Sequence, residues 1–326
     1  MSTTPSMRND NLSHTYPSHT YPSHTVVGHP PAKTGPNPAI ILLNRSSRLL
    51  RRDYLLELIE AGFSEIVSVE KADDAYTVES LSIEFRQVRF ILIEESFSVG
   101  ESINLAMTYL QSERAIVLWS TMGVPRGMER ALEILRNNPR CACVAPLLRG
   151  ERNDPLPTMH APAFHNRTLR ILDLPVRGST GKTIYPFDYV GLYDRTAFQR
   201  SGGYDPGISH PYWQRLDFGF RLYLTGGDIP LVPSFRIVYK SLPDPEDRTI
   251  NRSYARFFAR NLAIKLTPQG VRISRAATIR FALRSRMGVP ASIRVFRSAA
   301  TWLALNGRDI KMDPRDLVEQ WGVEHD

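Results

Sequence analysis

The chain has 326 residues, 42 % of them apolar, and a formal net charge of +8. Its length allows a sizeable core, while the lack of an apolar run near 18 residues and of an apolar N-terminal segment excludes a membrane span and a secretory signal. Thirteen Lys or Arg and no Asp or Glu lie between Arg248 and Arg308, which leaves 28 basic against 33 acidic residues elsewhere and confines the basic excess to that segment.

Residues 1–38 are poor in aliphatic side chains and contain an imperfect SHTYP repeat. Such a tract cannot bury enough apolar surface to fold, so we expect a disordered tail. Its histidines recur every five residues at His14, His19, His24 and His29. They could bind a metal weakly, but repeat expansion in a solvated tail is the interpretation that the composition favours.

From Ala39 onward, short apolar segments alternate with amphipathic ones. The predicted strands are Ala39 to Leu43, Glu65 to Val69, Val88 to Ile93, Ala115 to Leu118 and Cys141 to Pro146. The predicted helices are Arg48 to Ala61, Thr77 to Phe85, Gly100 to Leu110 and one that starts at Pro125. This alternation predicts an α/β fold with a mostly parallel sheet flanked by helices, whose ligands lie at the C-terminal strand ends.

The two cysteines, Cys141 and Cys143, would share one face of a predicted strand. A disulfide between them is geometrically unfavourable, and a zinc site lacks a second pair of ligands. We therefore expect two buried thiols and a reducing, cytoplasmic compartment.

Residues 147–187 are rich in Pro, Gly and Arg and predict an irregular excursion over the sheet. Beyond Asn251 we expect helices over Tyr254 to Leu266, Ile273 to Arg286 and Ala291 to Leu305. The predicted organisation is a tail (1–38), an α/β domain (39–246) and a basic helical extension (247–326).

The most informative segment runs from Tyr189 to Lys240. A strand leads to a Gly202-Gly203-Tyr204-Asp205 turn, and an amphipathic helix, a Gly-Gly stop and an apolar strand follow. This order resembles the acceptor-side half of family 2 glycosyltransferases with the GT-A fold, and the resemblance extends over Ala39 to Leu266. It implies transfer of a sugar from a nucleotide sugar to an acceptor, with inversion by direct displacement.

On the donor side, the resemblance assigns Asn44 and Arg45 after the first strand, and Glu70 after the second, to the base and ribose of the nucleotide sugar. A carboxylate suits ribose because it accepts two hydrogen bonds. Alternatively, Glu70 is a solvated loop acid before Lys71.

The metal-binding motif of the family is absent. Where relatives carry Asp-x-Asp, this chain has Ser120, Thr121 and Met122, and the usual His at the end of the last strand is Lys240. These residues are poor ligands for a divalent cation, so we expect no metal and no other cofactor. Ser120 is still expected to contact the nucleotide sugar. Lys240 and Arg215 are expected to supply positive charge to its diphosphate in place of the metal.

The catalytic base is also altered. The Glu-Asp-x-Asp positions hold Gln214, Arg215, Leu216 and Asp217. Asp217 is one candidate base and Asp205 of the turn is the other. Asp217 also lies four residues before Arg221, the spacing of a structural ion pair on a helix, and Asp205 matches a place where the family uses an acid as a turn residue.

The C-terminal segment combines arginines with apolar and aromatic side chains. Arg252, Arg256 and Arg260 form a four-residue stripe that Arg272 to Arg286 continue. Basic amphipathic helices suit an anionic membrane surface. The alternative is that their apolar faces pack on the α/β core and leave a solvated stripe. We expect no nucleic-acid partner, because no recognisable module is present.

Together these features predict a metal-independent hexosyltransferase that acts on a cell-surface glycan or a lipid-linked acceptor, in the cytoplasm and peripheral to the inner membrane face. The rival hypothesis is a catalytically inactive GT-A module that binds a glycan, a nucleotide or a partner protein.

Overall fold

The computed structural model describes residues 21–31, 35–45, 51–94, 96–166, 168–178, 180–284 and 287–321. The disorder predicted for residues 1–20, with His14 and His19, lies outside these ranges. The end of the predicted tail forms a strand instead: His24 donates or accepts a hydrogen bond at 2.9 Å with the Tyr109 hydroxyl, and its segment pairs with the edge of the main sheet.

Thirteen strands can be traced in the described residues. They are β1 (His24–Val27), β2 (Ala39–Leu43), β3 (Ile66–Lys71), β4 (Val88–Ile93), β5 (Arg114–Trp119), β6 (Cys143–Gly150), β7 (Met159–His165), β8 (Thr168–Leu174), β9 (Gly181–Lys182), β10 (Gly191–Asp194), β11 (Pro230–Tyr239), β12 (Ile264–Thr267) and β13 (Gly270–Ile273).

Ten α-helices accompany them over the same described ranges. They are α1 (Arg51–Glu60), α2 (Ala75–Glu84), α3 (Val99–Thr108), α4 (Glu129–Asn137), α5 (Arg195–Arg200), α6 (Pro211–Leu224), α7 (Arg252–Phe257), α8 (Arg275–Arg284), α9 (Val289–Asn306) and α10 (Pro314–Glu319).

Within the described residues, nine strands form one sheet in the order β1-β4-β3-β2-β5-β10-β6-β11-β9. Strands β4, β3, β2 and β5 run parallel, as do β6 and β11, and β10 is antiparallel between β5 and β6. All five residues of β2 are buried, as expected for a strand covered by helices on both faces. The predicted α/β fold with a mostly parallel, helix-flanked sheet is confirmed.

One predicted helix starts later than Pro125. Arg126 exchanges two backbone hydrogen bonds with Arg236 of β11, at 3.0 and 2.9 Å, which keeps this stretch extended. Gly127 then adopts a positive φ of 68°, so α4 begins only at Glu129.

The excursion after β6 is more ordered than predicted. Strands β7 and β8 form an antiparallel hairpin outside the main sheet. Ile184 donates a backbone hydrogen bond to His160 at 2.9 Å, so the hairpin is tied to the chain that re-enters the sheet.

The C-terminal extension is helical, but its first helix is shorter than predicted. A π-helical turn (Phe258–Leu262) follows α7, and the chain then forms the hairpin β12–β13 around Gly270, whose φ is 110°. Ile264, Val271 and Ile273 are β-branched, which favours strands over a longer helix. Helices α8 and α9 pack through Phe281 and Phe296, with ring centroids 5.6 Å apart.

Among the described residues, no helix is both long enough and apolar enough to cross a membrane.

Candidate functional site

The C-terminal ends of β2, β3 and β5 meet at one edge of the sheet. Leu43 is in register with Val69 on one side and Trp119 on the other. The residues that follow these strand positions, Asn44, Glu70 and Ser120, therefore lie side by side, and Ser120 donates its backbone N–H to the Leu43 carbonyl at 2.8 Å. The structure thus brings together three residues that the sequence assigned to the donor.

Glu70 is the centre of a buried polar network. It accepts hydrogen bonds from Asn44 Nδ2 at 2.5 Å and Ser68 Oγ at 2.6 Å, and Arg51 Nη2 lies 2.8 Å from its carboxylate. Only 1 % of the residue is exposed, so the alternative of a solvated loop acid is wrong. Burial, opposed by Arg51, raises the pKa of Glu70 to about 7. Its carboxylate orients Asn44 at the strand edge.

Arg45 lies over the indole ring of Trp119. Its guanidinium carbon is 3.9 Å from the ring centroid of Trp119, and it forms an ion pair with Asp188. The second oxygen of Asp188 accepts a hydrogen bond at 2.6 Å from the Tyr239 hydroxyl, and its carbonyl accepts one at 2.9 Å from Trp119 Nε1. Arg45 is thereby fixed beside Ser120 while about a third of its side chain stays exposed.

Sequence reasoning missed Asp188. It and Tyr189 have φ values of 54° and 65°, which non-glycine residues rarely adopt. Two consecutive residues of this kind indicate a backbone that surrounding contacts hold in place, as is common at functional sites. The only local signal was an acid directly before a predicted strand, since its partner Arg45 is 143 positions away.

The segment from Ser120 to Met122, which the sequence resemblance aligns with Asp-x-Asp, runs against the end of β11. Lys240 donates its backbone N–H to the Thr121 carbonyl at 2.8 Å. The hydroxyl oxygens of Ser120 and Thr121 are buried and find no hydrogen-bond partner within the described part of the chain. The Lys240 ammonium contacts Glu57 at 3.0 Å and lies 5.1 Å from the Tyr54 ring centroid, with 47 % of the side chain exposed.

Gln214, which the sequence resemblance aligns with the first acid of Glu-Asp-x-Asp, is fully buried and braces three segments. Its Oε1 accepts from the Gly100 N–H at 3.0 Å and the Tyr189 hydroxyl at 2.8 Å. Its Nε2 donates to Ser98 Oγ and to the Asp205 carbonyl, both at 3.0 Å. One amide thus ties the start of α3, the strained segment before β10 and the glycine turn to α6.

Arg215, which the sequence resemblance aligns with the catalytic base, pairs with an acid. Its Nη1 lies 2.9 Å from Glu246, and its guanidinium carbon is 5.4 Å from the Tyr185 ring centroid and 5.2 Å from that of Tyr189. Tyr185 also donates its hydroxyl to Glu246 at 2.8 Å. The Arg215 side chain is only 6 % exposed, and Glu246 balances its buried charge. Sequence reasoning missed Glu246 because it comes from the loop after β11.

Asp205 is held by the C-terminal extension. Arg256 Nε lies 2.7 Å from Oδ2, Arg260 contacts the same oxygen, and the Gly207 N–H donates to Oδ1 at 2.9 Å. Burial alone would raise the pKa of Asp205, but Arg260 and Arg256 outweigh it and hold the pKa well below its usual range. The carboxylate is 1 % exposed.

Asp217 forms the ion pair that its spacing predicts. Arg221 Nε lies 2.7 Å from Oδ2, and Asn261 Nδ2 donates to Oδ1 at 2.7 Å. Arg221 also donates to the carbonyls of Ser201 and Gly203, at 2.6 and 2.5 Å. Asp217 is fully buried, so this geometry favours a role in fixing the glycine turn to α6.

The comparison with solved structures finds glycosyltransferases among the similar chains. The structure titled GalNAc-T7 with UDP, GalNAc and Mn²⁺ is similar with a TM-score of 0.57 and 12 % identity, over 87 % of this chain and 56 % of that one. S. aureus TarS 1-349 in complex with UDP-GlcNAc has a TM-score of 0.45 and 9 % identity, over 87 % of this chain and 79 % of that one. The first of these likenesses shows that the fold is of the GT-A type.

The chain spans little more than half the length of the GalNAc-T7 structure. No protein-family model matches it, and no curated protein matches it in sequence.

The Mn²⁺ in the GalNAc-T7 structure raises the question of whether Ser120, Thr121 and their neighbours could hold a metal. Serine and threonine hydroxyls are weak ligands for divalent cations, which prefer carboxylates. Both oxygens of the nearby Asp188 are already occupied, by Arg45 and by Tyr239. Within the described ranges no three His, Cys, Asp or Glu side chains cluster so that they could hold an ion. The residues at this edge therefore do not fit a metal.

Proposed function

We propose that this protein is a glycosyltransferase that moves a hexose from a nucleotide sugar to a cell-surface glycan or a lipid-linked acceptor. The observation that carries the proposal is the sheet edge where Arg45 lies over the Trp119 ring and where the next two residues, Ser120 and Thr121, have buried hydroxyls without a hydrogen-bond partner among the described residues. An edge of a GT-A sheet that carries a fixed cation and hydroxyl groups able to donate hydrogen bonds suits a nucleoside diphosphate. We call this edge, with Asn44, Arg45, Glu70, Ser120 and Thr121, the donor edge.

We assign the donor contacts by chemistry. Asn44 and Glu70 would face the base and ribose, with Glu70 acting mainly by orienting Asn44. Arg45 would neutralise the diphosphate, and Ser120 would donate a hydrogen bond to it. Lys240 would add a second cation after leaving Glu57, an exposed pair that costs little to break. Arg215 would contribute at longer range, because its side chain is only 6 % exposed.

Fixed cations would then perform the role of the metal ion, which is to stabilise the departing diphosphate. The proposed transfer is metal-independent. By analogy with inverting relatives, the acceptor hydroxyl would displace the nucleotide directly, with Asp217 or Asp205 as the base. The reaction would take place in the cytoplasm, at the inner face of the membrane.

A second candidate function is favoured by a specific observation. Asp205 and Asp217 are each buried and each hold two side-chain partners. A base must reach the proton it accepts, and these carboxylates would have to leave their partners first. A GT-A module that binds a nucleotide or glycan without turnover agrees with this arrangement.

Isothermal titration with UDP, GDP and dTDP, with and without Mg²⁺ or Mn²⁺, tests the donor site. The proposal expects binding of at least one nucleotide that EDTA leaves unchanged. Loss of binding in EDTA would contradict metal independence. No binding to any nucleotide would contradict the enzyme and favour the inactive module that binds a glycan or a partner protein. Release of free nucleotide from a bound nucleotide sugar would then separate the enzyme from the binding module.

A further inference from the structure

Two groups of arginines in the C-terminal extension differ in their surroundings. Arg256 and Arg260 of the first group contact Asp205 inside the protein. A second group on α8 and α9 is exposed to solvent: Arg275, Arg280, Arg294 and Arg297. No Asp or Glu occurs between residues 248 and 308, although Asp313, Asp316 and Glu319 of the following segment line the same cavity as Arg280.

Large aliphatic side chains lie exposed among these arginines. Ile279 and Leu283 on α8 are 60 % and 80 % exposed, and Val289 and Ile293 on α9 are 55 % and 43 % exposed. Their spacing of four residues places each pair on one face of its helix. We call these four residues and the four exposed arginines the outer face.

The opposite sides of both helices are satisfied by packing. Ala277, Phe281 and Phe296 are buried against one another and against the extension's first helix. The aliphatic side chains of the outer face therefore do not contribute to the buried core. Large apolar side chains that a folded protein leaves in water, grouped on one face of a helix, can mark an interaction surface.

We propose that the outer face docks on an anionic lipid membrane. Aliphatic side chains gain by entering the headgroup and acyl boundary, and arginines gain from negative headgroups at the same depth. A nucleic acid would satisfy the arginines but would leave Ile279, Leu283 and Ile293 in water. A second copy of the chain would bring two strongly basic faces together, which repulsion opposes.

The test is cosedimentation of the full chain with vesicles. One set contains phosphatidylcholine alone, and the other contains about one third phosphatidylglycerol, because the attraction depends on anionic headgroups. We expect binding to the anionic set only, and its release as salt rises past about 0.3 M. Equal binding to both sets would overturn the charge argument.

Two double variants separate the charge and apolar contributions. Arg280→Gln with Arg294→Gln should weaken binding by about fivefold for each arginine. Leu283→Asn with Ile293→Asn should weaken it by at least tenfold, because each loses a membrane-inserted aliphatic group. The matched controls are Arg152→Gln and Ile83→Asn, an exposed arginine and a 78 % exposed isoleucine outside the extension. Both controls should bind as the parent protein does.

The outcomes decide between partners. If the arginine pair matters and the aliphatic pair does not, and if a single-stranded RNA oligonucleotide displaces the protein from vesicles, the partner is a nucleic acid and the proposal fails. Circular dichroism checks that each variant is folded. UDP titration of the same variants keeps this result distinct from the proposed function, since the outer face does not contribute to the donor edge.

Discussion

Arg260 of the C-terminal extension contacts Asp205 of the glycine turn, and both side chains are 1 % exposed. Arg256 reaches the same carboxylate from one helical turn earlier. The predicted 39–246 and 247–326 units therefore share a buried cluster of charge. Since the extension neutralises an acid of the α/β sheet domain, we expect the two units to unfold together.

The first prediction concerns this cluster. Asp205→Asn leaves Arg260 buried without its counter-ion, which should lower the free energy of unfolding by about 3 kcal/mol. Urea denaturation monitored by circular dichroism measures the change. The exposed Asp309 provides a control, because Asp309→Asn should stay within about 0.5 kcal/mol. Equal stability of the two variants would contradict the role of the cluster.

The second prediction separates structure from catalysis at Asp217. Asp217→Asn weakens the pair with Arg221, and Asn261→Ala removes the other partner, so each should lower the unfolding free energy by about 1–3 kcal/mol. Nucleotide affinity should be unchanged in both. If Asp217→Asn instead abolishes sugar transfer while the melting temperature stays that of the parent, Asp217 is the base.

Much of the donor edge could be predicted from the sequence, because strand ends in a parallel sheet meet by topology. Asn44, Glu70 and Ser120 follow three apolar segments, and they do lie together. The acids that pair with Arg45 and Arg215 could not be predicted. Asp188 pairs across 143 positions, and Glu246 reaches Arg215 from a loop whose path depends on packing elsewhere.

The extension shows a second limit. A four-residue arginine stripe predicts one helix face, but it cannot show whether that face meets solvent or a buried carboxylate. Arg256 and Arg260 meet Asp205, which is about fifty positions earlier in the chain. The hairpin β12–β13 was missed because the apolar residues between Tyr254 and Leu266 are equally compatible with one continuous helix.

The third prediction tests whether the lost acid can be restored. Gln214→Glu turns a donor toward the Asp205 carbonyl into an acceptor and buries a charge, although the Gly100 N–H and the Tyr189 hydroxyl still donate. We expect a loss of about 2–4 kcal/mol in unfolding free energy. The exposed Gln199 of α5 is the control, and Gln199→Glu should be nearly neutral. A stable Gln214→Glu protein would contradict the bracing role.

The fourth prediction concerns pH. Burial raises the pKa of Glu70 from its usual 4.5 to about 7, so between these values the folded protein holds a proton that the unfolded chain has released. The contribution of Glu70 to stability is therefore full below about pH 4.5 and is lost as pH rises through about 7.

Glu70→Gln removes this dependence. The difference in unfolding free energy between parent and variant should fall by about 2 kcal/mol from about pH 5 to about pH 8. Urea titrations at a series of pH values provide the measurement. Parallel curves for the two proteins would show that the Glu70 pKa is not raised.

The last prediction ranks the cations of the donor edge. Arg45 is already fixed beside Ser120 by Trp119 and Asp188, so Arg45→Gln should weaken UDP binding by about 1.5–3 kcal/mol, the range for hydrogen bonds to a charged group. Lys240 must first leave Glu57, so Lys240→Ala should cost less, by the roughly 0.2–1 kcal/mol of an exposed pair. Glu57→Gln frees the Lys240 ammonium and should strengthen UDP binding by a similar small amount. Isothermal titration measures all three, with Arg152→Gln as the remote cation control. If neither Glu57→Gln nor Lys240→Ala changes the affinity for UDP, Lys240 does not contribute to nucleotide binding. Arg45 would then be the main cation that replaces the metal in the proposal.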